Sequence, residues 1–428
     1  MDAPITFFPS SRRSARTEAP AAPVQRFHTL SVILKVTERC NLACPYCYFY
    51  FSGDDTHREH PAFADDEMLS RTLAFILDAV REQGIRQVQI GLHGGEPLLL
   101  KPARFDALCQ TLRDAIEPVC ELMLLVQTNG VLLDARWVEI LSRHRIRVGV
   151  SIDGDAQAHD RTRITKKGRG TYAETLRGWR LLNEAVKEGR AASASILAVV
   201  APDRCGAATY RHFREALDAD GMNFLLPDLT HDAPEASPAH IEACGDFLIG
   251  VYNAWVELGG SSTRGSVRFI EELVGPLLDD QLCRRAALGR RVLPNQFAIS
   301  TDGEICPDDV IRGFAPRLRQ LPYRVGIDSA AALRETPVWL ELIEAQSSLP
   351  AACSGCLWRN VCGGGALAHR YSHANGFDNP SVYCAGLKKL YRHVAWSLIQ
   401  AGASEDAIER RLTTDWTQTA PTQEVSHV

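Results

Sequence analysis

The 428-residue chain has 45% hydrophobic and 23% charged residues, ordinary globular values that exclude a disordered or fibrous protein, and its length suits about three domains or one large α/β barrel with an appendage. Against 52 acidic residues stand 47 basic ones, a net charge of -5, so no overall positive field draws the chain to nucleic acid or to an anionic membrane. No apolar run approaches the roughly 20 residues that span a bilayer, and no signal-peptide core precedes the first elements, so a cytoplasmic protein without membrane or nucleic-acid partners is expected.

Residues 1–28, rich in Pro, Ala, Ser and Arg, read as a flexible leader. The β-branched run 30–36 predicts a strand that feeds directly into Cys40, Cys44 and Cys47. Helical stretches then alternate with short apolar runs. Strands are expected over 87–92, 122–127, 147–152, 193–200 and 222–226, and helices over 68–83, 105–116, 135–143, 172–188 and 210–219. Six βα units imply a parallel sheet with right-handed crossovers, an α/β fold curled into a partial (β/α)6 TIM-type barrel. The polar motifs fall just after the strands, where such sheets bind ligands. Near residue 235 the rhythm stops: helices over 240–258 and 267–278 lead into a turn-rich, cysteine-bearing region that ends at Cys384 and a helix over 387–400. The expected units are a barrel over 29–235, a helical bridge over 236–280, a cysteine-bearing domain over 281–400, and a C-terminal helix and tail over 401–428.

Thirteen cysteines, an odd number without a secretion signal, fit thiolates held for metal binding or catalysis better than a disulfide framework. Cys109, Cys120, Cys205 and Cys244 stand alone and read as small buried hydrophobes. Cys40, Cys44 and Cys47 lie within eight residues, close enough to hold one iron–sulfur cube from a single loop while leaving its fourth iron open. A structural zinc loop would need a fourth ligand, and none is near in sequence.

With Tyr46 before the third cysteine, this run resembles the Cys-x3-Cys-x2-Cys signature of the radical S-adenosylmethionine (SAM) superfamily. Gly94-Gly95-Glu96-Pro97, Gln127-Thr128-Asn129-Gly130 and Ser151-Ile152-Asp153-Gly154 follow the next three strands in the order that resemblance expects, with His159-Asp160 and Arg163 just beyond. Singly, each reads as an ordinary βα turn. The resemblance implies a SAM-binding [4Fe–4S] cluster on the three cysteines. It further implies that Gly94, Gly95 and Glu96 meet the SAM amino group, that Ser151 and Arg163 meet its ribose or carboxylate, and that Tyr46, Asn129 and Asp153 shape the pocket.

Cys353, Cys356 and Cys362, spaced x2 and x5, with Cys384 beyond, make a closed set of four thiolates suited to zinc or to a [4Fe–4S] cluster. Beside a radical SAM signature the run resembles the SPASM domain, implying a C-terminal SPASM-like iron–sulfur domain with an auxiliary [4Fe–4S] cluster on these four. The sequence departs from the full pattern at Ala366 and at Gly303-Glu304-Ile305-Cys306. Cys283 and Cys306 remain as ligands for a second auxiliary cluster, which is absent, incomplete or completed by a carboxylate such as Asp308. Asp308 and Asp309 read either as a general base facing the substrate, as the resemblance implies, or as a solvated acidic turn.

The segments 363–372 and 376–384 resemble a narrower group, the FxsB/GrrM-type peptide maturases. That resemblance implies a radical SAM oxidoreductase that joins an aromatic ring carbon to a β-carbon, a cyclophane crosslink, in a ribosomal precursor peptide, served by an external electron donor. His369, Arg370 and Tyr371 then either face substrate or pack around the auxiliary cluster. Two alternatives stand beside it: another SPASM-type oxidation, forming formylglycine or a thioether, and a non-enzymatic zinc protein.

Overall fold

The structure, a computed structural model, describes residues 28–260, 265–289 and 295–416; the expected leader up to residue 27 and the tail beyond Trp416 lie outside the described residues. Strands β1 (Thr29–Thr37), β2 (Gln87–Gly94), β3 (Glu121–Thr128), β4 (Arg147–Ser151), β5 (Ser193–Val199) and β6 (Gly221–Leu225) pair in parallel in chain order, with helices between them. The side-chain period of two explains the sheet. Leu30, Val32, Leu34 and Val36 of β1 and Val88, Ile90 and Leu92 of β2 are buried in one apolar core, each worth about 1.5–3 kcal/mol. The alternate positions bring Lys35, His93, Gln127 and Ser151 to the opposite face, which is the concave interior of the barrel.

Helix starts are set by polar caps, not by apolar periodicity. Asp65 accepts from the Met68 amide at 2.7 Å and Asp134 from the Trp137 amide at 2.9 Å. The first long helix therefore begins at Asp66, ahead of its first apolar residue.

The sheet is wider than the sequence suggests. β7 (Ser266–Val267) adds to β6 in parallel; β8 (Asn295–Ile299) pairs in parallel with β1, and β9 (Ile305–Cys306) runs antiparallel to β8. Residues expected to belong to the C-terminal domain thus extend the barrel sheet, and they bring Cys306, Asp308 and Asp309 beside the end of β1. The helix expected over 210–219 is an α-helix, Gly206–Arg211, continued by a π-helical turn, His212–Ala216. Helix Cys384–Gln400 lies against helix Pro238–Glu257 where Gly245 meets Gly386; a Cβ on Gly245 would overlap the Gly386 backbone, and one on Gly386 the Ile241 carbonyl. Among the described residues no helix is long and apolar enough to cross a membrane.

Candidate active site and auxiliary cysteine site

The half-buried thiols of Cys40, Cys44 and Cys47 converge after β1. Burial pushes the Cys40 thiol up to about 12 and that of Cys44 to about 11, and the Cys47 thiol is raised too. The three act on one another electrostatically; Arg163 favours the thiolates of Cys44 and Cys47, and Lys35 also favours that of Cys47. The loop is held by backbone contacts that do not use the thiols: Ala43 N–H donates to Ile164 O at 2.8 Å, and Glu96 N–H to Arg39 O at 2.8 Å. Gly94 and Gly95 serve this contact. A Cβ on Gly95 would overlap the Arg39 carbonyl and the Tyr50 hydroxyl, and one on Gly94 the Thr37 carbonyl. These glycines admit the protein's own chain leading to Cys40.

Glu96 is fully enclosed, and its carboxylate accepts from Thr128 Oγ1 at 2.7 Å, Asn129 N at 2.8 Å and Leu98 N at 3.0 Å. Burial raises it to about 7 against those hydrogen bonds. It fastens the turn after β3 to the turn after β2. Asn129 Nδ2 then donates to Asn41 Oδ1 at 2.8 Å, inside the cysteine loop. Asp153 gathers Tyr46 Oη, Arg163 Nε at 3.0 Å, Thr162 Oγ1 at 3.2 Å and Val199 N at 3.2 Å. Ser151 Oγ accepts from Gln127 Nε2 at 2.9 Å. The barrel residues singled out in the sequence therefore lie at one end of the sheet, in polar groups centred on Glu96, Asp153 and Ser151.

A cavity of about 750 Å³ opens beside Cys47, ample for a small molecule and a peptide side chain. Tyr46, Tyr48 and Asp153 line it from the barrel, Asp228 from the loop after β6, and His373 from the C-terminal region. Asp308 and Asp309 are not on this wall. Tyr48 Oη donates to Asp309 Oδ2 at 2.7 Å, and Lys35 Nζ lies 3.8 Å from the same oxygen and 3.8 Å from the Phe49 ring centre. Burial would raise Asp309, but Lys35 holds it below the usual range, whereas burial and Asp309 raise Asp308 to about 6. Asp308 Oδ1 accepts the amides of Val310 and Ile311 at 2.8 and 3.0 Å. The pair is thus neither solvated nor directly on the cavity; Asp228, which no spacing in the sequence marks, is on it.

The second cysteine group is also assembled. Cys353, Cys356, Cys362 and Cys384 all line one small pocket together with Trp358, Arg359 and Lys388. The chain reverses after Cys362 through Gly363, Gly364 and Gly365, with φ of 59°, 88° and 84°, a left-handed run suited to glycine. A tetrahedral zinc site, with Zn–S near 2.3 Å, needs sulfurs about 3.8 Å apart. Among the described residues, the set of three or more His, Cys, Asp or Glu ligand atoms within 4.8 Å of one another is His60, Asp302 and Glu304, not either cysteine group. The wider cysteine spacing suits a cube better than a single ion. His369, Arg370 and Asn379 are spent on local structure. His369 packs edge-on against Tyr383; Arg370 donates to Phe377 O and Ala345 O at 3.0 and 2.7 Å, and Asn379 to Arg370 O at 2.9 Å.

Residues 34–202 match the family described as the radical SAM superfamily. The match takes in the cysteine loop and the turns after β2, β3 and β4. The whole chain is similar to the cysteine-type anaerobic sulfatase-maturating enzyme of Clostridium perfringens, 24% identical over 377 residues that cover 86% of this chain and 97% of that protein. It is similar also to the serine-type enzyme of Klebsiella pneumoniae, 26% identical over 389 residues, 88% of this chain and 89% of that one. Among solved structures, native anSMEcpe with bound AdoMet and Cp18Cys peptide superposes with a TM-score of 0.71 at 23% identity, covering 87% of this chain and 98% of that one. The radical SAM barrel with a C-terminal SPASM-like domain is therefore the fold of this chain. The thiol loop, open on one side to a cavity, fits a SAM-binding cluster, and the four-thiol pocket fits an auxiliary one.

The radical SAM barrel gives Cys283 and Cys306 separate settings. Cys283 Sγ donates to Arg411 O at 3.5 Å, whereas Cys306 Sγ lies 3.8 Å from Arg312 Nη1. Arg312, itself 1% exposed, is fixed by Asp54 at 2.9 Å, Glu304 at 3.3 Å and Thr56 Oγ1 at 3.0 Å. A buried ion-pair network thus surrounds Cys306. Burial opposes the His60 imidazolium in this network, but Glu304, Glu38 and Asp302 raise it to about 9. Its contribution to stability is full below the ordinary value of 6.5 and is lost as pH rises through about 9. Arg312→Ala strands Asp54 and Glu304 and is expected to lower the unfolding free energy by about 3–5 kcal/mol, measured by urea titration. Arg312→Lys should recover only part of it, since a lysine cannot fork between the two carboxylates.

Proposed function

We propose that this chain oxidises the β-carbon of a Cys or Ser side chain in a peptide or protein substrate, forming formylglycine. The reading is supported above all by the similarity to cysteine-type and serine-type sulfatase-maturating enzymes, which covers 86% and 88% of this chain. Cys40, Cys44 and Cys47 would hold the SAM-binding cluster, and Cys353, Cys356, Cys362 and Cys384 the auxiliary one. When bound, the first supplies the electron that splits SAM into methionine and a 5′-deoxyadenosyl radical, and the second is a one-electron acceptor. Arg163, paired with Asp153, would face the SAM carboxylate, and Asn129 would keep the cysteine loop in register. The cavity wall excludes water and holds the substrate β-carbon within reach. An external one-electron donor is required for turnover.

The cyclophane expectation rests on 363–372 and 376–384, where Arg370 and Asn379 are bonded to nearby backbone carbonyls. Incubation of the iron-loaded enzyme with SAM, a reductant and sulfatase-type peptides tests the reading. The expected product is an aldehyde at the target residue, located by tandem mass spectrometry and captured by a hydrazide. A two-hydrogen loss mapped to a bond between an aromatic ring and a β-carbon would reverse the assignment.

A further inference from the structure

The run 161–170 carries five cations, Arg161, Arg163, Lys166, Lys167 and Arg169, and no acid. In a chain of net charge -5 it is a local exception. Three of the five are spent: Arg161 on Asp203, Arg163 on Asp153 and Arg169 on Glu174. Asp160, the acid next to the run, is turned inward and accepts the Tyr172 amide at 2.7 Å. Lys166 and Lys167 are exposed, and neither has an ion pair among the described residues.

The two lysines sit at the tip of a short hairpin, 164–170. Ile164 bridges Gly170 antiparallel, Thr165 N–H donates to Arg169 O at 2.8 Å, and Gly168 N–H closes the turn onto Thr165 O at 2.8 Å. Gly168, at φ 77°, gives the turn its left-handed residue, and no other segment packs against it. The base of the hairpin is fastened to the cysteine loop. Thr165 bridges Leu42, and Ile164 O accepts the Ala43 amide at 2.8 Å, one residue before Cys44. Arg39, just ahead of Cys40, adds an exposed cation to the same loop. A positive tip is thus held one or two residues from the backbone contact that secures the thiol loop. No residue of 164–170 lines the cavity beside Cys47, so a protein seated on the tip leaves that cavity open.

We propose that hairpin 164–170 is the docking surface for the external electron donor, and that this donor is a small acidic carrier protein. The proposal rests on the cluster reading of Cys40, Cys44 and Cys47 given above. Lys166 and Lys167 meet carboxylates on the carrier, and their fixed positive field steers the encounter, raising association by about tenfold or more at low salt. Electron-transfer encounters are small, below about 1,200 Å² in all, so a two-lysine tip and its rim suffice. One electron leaves the reduced carrier and enters the cluster across the contact between hairpin and cysteine loop. The carrier is oxidised by one electron, the cluster is reduced by the same one, and no bond or proton moves. Because the tip lies off the cavity wall, carrier and peptide can be bound together.

The test gives the iron-loaded enzyme reduced flavodoxin, an acidic flavin carrier, and in parallel dithionite. Lys166→Glu combined with Lys167→Glu should lower the second-order rate of 5′-deoxyadenosine formation with flavodoxin about tenfold and leave the dithionite rate unchanged. Added salt should slow the wild type and hardly affect the variant, since screening removes what charge reversal has already removed. Oxidised flavodoxin, which transfers nothing, should bind the wild type more tightly than the variant by calorimetry, and carbodiimide should couple its carboxylates to Lys166 or Lys167. An unchanged flavodoxin rate in the variant, or an equal loss under dithionite, overturns the docking surface. So does coupling that maps to Lys388 beside the four-thiol pocket, or a wild type that holds an RNA oligomer and not flavodoxin. A wild type that forms no 5′-deoxyadenosine with either reductant overturns the cluster reading, while calorimetry and coupling still decide the surface.

Discussion

Replacing Cys40, Cys44 and Cys47 together with Ala should abolish 5′-deoxyadenosine formation while leaving the fold in place. The loss should be complete because SAM cleavage needs the open iron that three thiolates create, and no other described thiol stands in that loop. The fold should survive because the loop is held by Ala43 N–H on Ile164 O, by Gly95 N–H on Thr37 O and by Glu96 N–H on Arg39 O, none of which involves sulfur. Chromatographic assay of 5′-deoxyadenosine under strong reductant, beside a thermal melt, reads both outcomes. Undiminished SAM cleavage in the triple variant would end the radical SAM assignment of this site. Gly95→Ala is the informative companion: it keeps all three thiols but drives a methyl into the Arg39 carbonyl, so it should weaken cluster retention through the backbone alone.

The barrel and both cysteine sites are legible in the sequence because they are written locally. The alternation of Leu30, Val32, Leu34 and Val36 declares β1, and the x3, x2 and x5 spacings bring thiols together within single loops. What escapes is assembled from distant segments. Asn295–Ile299 is a five-residue strand with a polar start, and it is a strand because β1 offers it an unpaired edge. The network around Arg312 draws Asp54 and Thr56 from one turn and Glu304 from a distant segment, and no periodicity links them. Asp228 is one acid in an apolar stretch, Leu225-Leu226-Pro227-Asp228-Leu229, and only the fold sets it opposite Tyr48 and Asp309. The glycines of residues 94 and 95 show the converse: their presence is legible, but the group that demands them is the chain itself.

Replacing Cys353, Cys356, Cys362 and Cys384 with Ala should halve the iron, from about eight to about four per chain at four per cubane, and should separate SAM cleavage from product formation. The first half follows from geometry: four thiols share one pocket, while Cys283 and Cys306 are occupied elsewhere, so one auxiliary cluster is expected and not two. The second follows from electron count. A β-carbon radical that has lost its proton must still give up one electron, and without the auxiliary acceptor it is returned to substrate or quenched, so 5′-deoxyadenosine accumulates without aldehyde. The change should also cost stability, since the thiols tie together the turn at Ala351–Cys353, the glycine reversal and the start of helix Cys384–Gln400, segments otherwise joined by few hydrogen bonds such as Ser381 N–H on Gly364 O at 2.8 Å. Iron and sulfide analysis with product assay decides it. A wild-type chain holding about four irons and one zinc would give the four-thiol pocket to a structural ion, and aldehyde formed at full yield by the quadruple variant would place the electron's exit elsewhere.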